Sequence, residues 1–165
     1  MKWLFLPAVL LAAAVLVLLA VGWMLPVAHA ATRQATYRVP PDALWKVISD
    51  PEGFPAWRSD VTHVERLADR DGRVAWIEVG RNGRIAYEIE RSDPPRALVV
   101  RIADRNLPFG GAWTYEIWPA AGGSTVTITE NGEIYNPIFR VLARYVFGYD
   151  STMTAYLESL RRKVE

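Results

Sequence analysis

The stretch from Pro40 to Trp57 places a short amphipathic helix and a rigid elbow directly behind a strand-like run, Ala35 to Val39. Pro41 suits the first helical turn, where its missing N–H leaves no intrahelical bond unmade. Leu44, Val47 and Ile48 recur at i, i+3 and i+4, one apolar stripe for packing on a sheet. Asp50-Pro51 stops the helix, because a residue before proline is pushed out of the helical region. Strand, short helix and elbow open a domain that mixes both kinds of element.

Beyond the elbow the pattern turns to strands. Asp60 to Leu67 alternates, and Arg70-Asp71-Gly72 reads as a turn. Arg73 to Val79 and Arg84 to Glu90 flank Asn82-Gly83, a tight-hairpin signal. Asp93-Pro94-Pro95 breaks the rhythm before Ala97 to Ala103, and Pro108 to Gly111 reads as a loop. Ala112 to Trp118 and Ser124 to Asn131 complete an antiparallel meander. The period then changes. Asn136-Pro137 is a helix cap with proline at the first helical position. Leu142, Tyr145, Tyr149, Met153, Tyr156, Leu160 and Val164 form one stripe on a long helix, with Gly148 permitting a bend.

At the other end, Trp3 to Val27 carries no charge. As a helix it spans about 37 Å, enough for a hydrocarbon core of about 30 Å. The competing reading is a cleaved signal peptide, because Ala28-His29-Ala30 is an Ala-x-Ala site. The run exceeds a usual signal core, which favours a retained single-pass anchor over residues 1–28 and a domain over 29–165. Lys2 and the N-terminal amine favour a domain on the outer face, although Arg33, Arg38 and Lys46 pull the other way.

Charge and composition narrow the partners. The net charge is +1, and Lys2 is the only charged residue ahead of Arg33, so the domain is balanced. A balanced domain lacks the positive field that nucleic-acid binding requires. Cysteine is absent and only His29 and His63 are present, without metal-ligand spacing. These counts point away from thiolate chemistry and protein-built metal sites, and no cofactor is expected.

The segment Asp50-Pro51-Glu52-Gly53-Phe54-Pro55-Ala56-Trp57, behind a strand and a Trp-bearing helix, resembles the opening of the SRPBCC superfamily. These START-like proteins include the polyketide cyclase/dehydrase group. Leu107 to Glu116 and Thr129 to Arg140 look like a membrane-anchored bacterial branch of it. The resemblance runs from about Thr32 to the C-terminus. It implies an α+β helix-grip fold, a curved antiparallel sheet wrapped around a long C-terminal helix, with a ligand cavity between them. It implies no catalytic residue, since no catalytic motif is common to the superfamily.

Strand alternation gives the lining of such a cavity. Tyr87, Trp113 and Tyr115 fall on inward positions, either as core aromatics or as ligand contacts. Tyr145 and Tyr149, spaced i, i+4 on the helix stripe, face them. Glu130 shares a face with Val126 and Ile128 and is the ionisable group nearest the pocket. If buried, Glu130 becomes an acid/base candidate, and Glu78 is a second one on a strand whose inner face the pattern leaves open. The leading expectation is a membrane-anchored domain that binds a hydrophobic small molecule or lipid. The alternatives are a cyclase or dehydratase using pocket Glu and Tyr, and a scaffold with a collapsed core.

Overall fold

The computed structural model describes residues 5–69 and 72–165. Trp3 and the Arg70-Asp71 part of the expected turn lie outside the described residues. Helix α1 spans Phe5–Met24 and runs into strand β1, Ala28–Tyr37. Helix α2, Pro41–Ile48, carries its proline in the first turn, buries Leu44 and Ile48, and is followed by a 3-10 turn over Pro51–Ala56. The Asp50 side chain caps that turn by accepting from the Gly53 N–H. Strands β2 (Val61–Arg66), β3 (Ala75–Gly80), β4 (Gly83–Asp93), β5 (Ala97–Ile102), β6 (Phe109–Ala120) and β7 (Gly123–Ile134) follow. The chain ends in α3 (Pro137–Leu142), a π-helical turn (Ala143–Phe147) and α4 (Ser151–Val164).

The strands form one antiparallel sheet in the order β1-β7-β6-β5-β4-β3-β2. Five successive hairpins build β2 to β7, and β1 closes on β7 over ten residue pairs. The polar residues of β1 hide its alternation, yet Thr32 and Thr36 place their hydroxyls against those of Thr129 and Thr125 across the pair. One face of the sheet is covered by α2 and α4. Tyr37, Leu44, Ile48, Leu98, Ile117, Val126, Ile128, Met153 and Leu160 are all but sealed from solvent there. The Tyr37 hydroxyl donates to the Leu157 carbonyl at 3.0 Å and ties β1 to α4.

Three expectations need correction. Strand β1 begins at Ala28 rather than Ala35, so it runs almost without a break from the end of α1. Strand β6 begins at Phe109, inside the expected loop, because β7 is long enough to pair with Phe109 and Gly110. The single long C-terminal helix is two helices. Ala143–Phe147 opens to π spacing and Gly148 takes a φ of 73°, which shifts the stripe out of register. Tyr145 is thrown outward and is 65% exposed as a result. The end of α1 is in contact with the domain. Buried Arg140 on α3 donates to the Leu25 carbonyl at 2.7 Å, and a Cβ at Gly22 would overlap the Pro137 carbonyl.

Candidate functional site

Between the sheet and the C-terminal helices lies a cavity of about 640 Å³. Trp76, Tyr87, Val100, Trp113 and Tyr115 line it from the sheet. Phe139 and Leu142 line it from α3, Phe147 and Tyr149 from the segment between α3 and α4, and Ile48 and Phe54 from α2 and the elbow. The aromatic walls brace one another. Trp76 stacks on Tyr87 with centroids 5.8 Å apart, and Trp113 meets the Tyr156 ring edge-on at 5.9 Å. Burial raises the pKa of the Tyr87 and Tyr115 hydroxyls above the ordinary tyrosine value, so both stay protonated donors.

Two polar clusters interrupt this wall. At one, Arg58 just beyond the elbow donates through Nη2 to Asp60 Oδ2 at 2.7 Å and through Nη1 to Glu78 Oε1 at 3.1 Å. The Trp76 indole adds a donor to Glu78 at 3.2 Å. The guanidinium carbon also lies 5.0 Å from the Phe54 ring centre and 5.4 Å from that of Tyr156. Burial on its own disfavours the charged guanidinium. The Asp60 hydrogen bond and the Glu78 charge outweigh that and hold Arg58 above its ordinary pKa.

At the other cluster, His29 at the start of β1 meets Glu130 of β7, Nε2 to Oε1, at 3.3 Å. The imidazole stacks on Tyr149 with centroids 4.1 Å apart and planes 19° from parallel. Among the described residues its buried Nδ1 has no hydrogen-bond partner. Burial raises the Glu130 pKa above the ordinary carboxylate value, while His29 and the Trp113 indole oppose the rise. Among the described residues no group of three or more His, Asp or Glu side chains is arranged to hold a metal ion.

Residues 28–165 match the family model described as polyketide cyclase / dehydrase and lipid transport. The chain belongs to that family. A curated relative, the granaticin polyketide synthase bifunctional cyclase/dehydratase of Streptomyces violaceoruber, is 33% identical over 110 residues. That match takes in 61% of this chain but only 32% of the relative, so the chain spans about a third of the enzyme it resembles. Among solved structures, a Thermus thermophilus protein superposes with a TM-score of 0.67 at 20% identity, covering 82% of this chain and 97% of that one. The Zhui aromatase/cyclase from a Streptomyces species gives 0.65 at 12% identity, covering 83% and 93%. A START superfamily protein from Mycobacterium smegmatis gives 0.64 at 12%, covering 82% and 97%. At such identities these likenesses establish the START-like α+β fold.

Within this cavity the structure brings together Tyr87, Trp113, Tyr115, Glu130 and Tyr149, with Glu78 at the opposite cluster. Strand β3 turns Trp76 and Glu78 inward, the face that alternation left open. Tyr145 is the exception, because the π turn carries it to the surface. His29, Arg58 and Asp60 are cavity residues that the sequence reading passed over. His29 had a signal available. It continues the period-two run of Ala31, Ala35 and Tyr37, ahead of the strand expected from Ala35.

Proposed function

We propose that this chain is a membrane-anchored binding domain that takes a hydrophobic small molecule into the cavity between sheet and C-terminal helices. The observation that carries the reading is the cavity itself. About 640 Å³, walled mainly by aromatic and aliphatic side chains with two polar clusters, lies in the range of small-molecule sites. A collapsed scaffold would leave no such space.

Three observations support the anchor. Pro7–Met24 has a mean hydropathy of 2.4 and is almost wholly unburied by the domain. Cleavage after Ala30 would remove three residues of β1, including the His29 that pairs with Glu130. Phe139 on α3, against which the end of α1 packs, and Tyr145, Val146 and Phe147 on the π turn that follows are exposed, and Phe139 and Phe147 also line the cavity. An apolar rim beside a spanning helix suits a cavity filled from the bilayer.

Catalysis is the second reading, and Glu130 is the observation that favours it. A half-buried carboxyl with a raised pKa beside an imidazole is a proton-transfer arrangement. A fluorescence titration with lipophiles separates the readings. Saturable quenching that weakens in Trp113→Phe, without product formation, supports binding. Turnover that Glu130→Gln abolishes while binding survives replaces it with catalysis.

A further inference from the structure

The two polar clusters of the cavity differ in what they leave free. Around Arg58, Asp60 and Glu78 the groups answer one another. Nε and Nη2 of Arg58 serve Asp60, Nη1 and Nη2 serve Glu78, and Trp76 serves Glu78 again. A ligand gains little by breaking into that set, because each group displaced would leave a charge unpaired at low exposure. Glu130 is different. Its Oε1 has the His29 contact, the Trp113 indole favours its ionised form, and its side chain stays 21% exposed. The carboxylate lines the cavity between Trp113, its cross-strand partner, and the His29–Tyr149 stack. It is an acceptor that a ligand donor can reach without displacing a guanidinium.

The charges around the cavity set the sign of what can fill that need. Its ionisable lining is His29, Arg58, Asp60, Glu78, Glu130 and Glu133. Four carboxylates therefore face one guanidinium that is already held by two of them. His29 offers no free cation either, since Nε2 is turned to Glu130, Nδ1 is sealed from solvent, and one face is covered by Tyr149. An anionic head would enter desolvated, unpaired and beside like charge.

We propose that the His29–Glu130 end of the cavity is the head-group subsite for a lipophile whose head donates a hydrogen bond and carries no negative charge, a hydroxyl or an ammonium. The hydrocarbon body lies along Trp76, Tyr87, Trp113 and Phe147. Glu130 accepts from the head, and the Trp113 and Tyr149 rings flank it, an environment that also suits an ammonium. The subsite deepens the binding-domain reading and rests on it.

The test uses full-length protein in phosphatidylcholine nanodiscs, with decanol, decylamine and decanoate as probes and tryptophan fluorescence as readout. Affinity ratios are compared between wild type and Glu130→Gln in identical discs, so partition into the bilayer cancels. At pH 8 wild type is expected to bind decanol and decylamine at least about tenfold more tightly than decanoate. In Glu130→Gln the three should converge to within about threefold, with decanoate gaining most. If decanoate matches decanol on wild type, the subsite is wrong while the binding reading stands. An unchanged ratio in Glu130→Gln has the same meaning. Should Glu130→Gln fail to fold, the wild-type ratio alone decides. If none of the three probes binds, the binding reading falls and the subsite with it.

Discussion

The His29 imidazole lies 3.3 Å from the Glu130 carboxylate although 101 positions separate them in the chain. The contact exists because β1 pairs with β7 from its first residue, setting His29 opposite Gly132. A side chain at Gly132 would displace the His29 ring, since its Cβ would overlap the imidazole. One edge pairing thus carries the first residues after the apolar helix into the cavity wall.

That pair makes stability depend on pH in a definite direction. Burial raises the Glu130 pKa from its ordinary 4.5, so the folded chain holds this proton more tightly than the unfolded chain does. The contribution is fully present below the unfolded value and is lost as pH rises through the folded one. Thermal unfolding of the detergent-solubilised protein should show wild type losing stability relative to Glu130→Gln as pH rises from about 4.5 to about 8. A wild type that gains on the variant over that range would mean Glu130 is stabilised as a carboxylate.

Arg58 holds the opposite cluster together. Its side chain is 12% exposed and that of Glu78 is 11%, so Arg58→Met leaves a largely desolvated carboxylate without its cation. A loss of roughly 3 kcal/mol is expected, of which the more exposed Asp60 accounts for little. Arg58→Lys should recover only part of it, because one ammonium cannot reproduce the fork to two carboxylates. Losses below about 0.5 kcal/mol would place the cluster in solvent.

The broken C-terminal helix predicts a sharp contrast between two residues of one sequence stripe. Leu160 is fully buried under the sheet, and Leu160→Ala should cost about 2–5 kcal/mol. Tyr145 is 65% exposed, and Tyr145→Ala should change stability by no more than about 0.5 kcal/mol. Comparable losses at both positions would restore the single continuous helix.

If α1 is retained, full-length protein stays with membranes through alkaline washing, and its N-terminal fragment includes His29. Recovery of a soluble protein beginning at Ala31 would establish signal cleavage and a site without its imidazole.

The parts of this fold that local chemistry specifies were legible in the sequence. Pro41, the Asn82-Gly83 turn and the Asn136 cap each mark their element because backbone preference alone decides them. The inward faces of β4, β5 and β6 followed from alternation, which placed Tyr87, Trp113 and Tyr115 on the cavity side. Tertiary pairing decided the rest. The start of β1 depends on how far β7 extends, and a polar edge strand advertises that weakly. Arg58 owes its place to the turn over Pro51–Ala56, whose geometry brings it back beneath Glu78. The π turn at Ala143–Phe147 keeps helical composition, so a periodicity count passes through it and assigns Tyr145 to the wrong face.

Native mass spectrometry of the gently extracted full-length protein tests the central claim most directly, since a cavity of about 640 Å³ with this lining should leave the membrane filled. The account predicts a protein ion carrying one lipophile that bears a hydroxyl or amine, released on collisional activation. Bare protein from several extractions that spare other lipid complexes would contradict it.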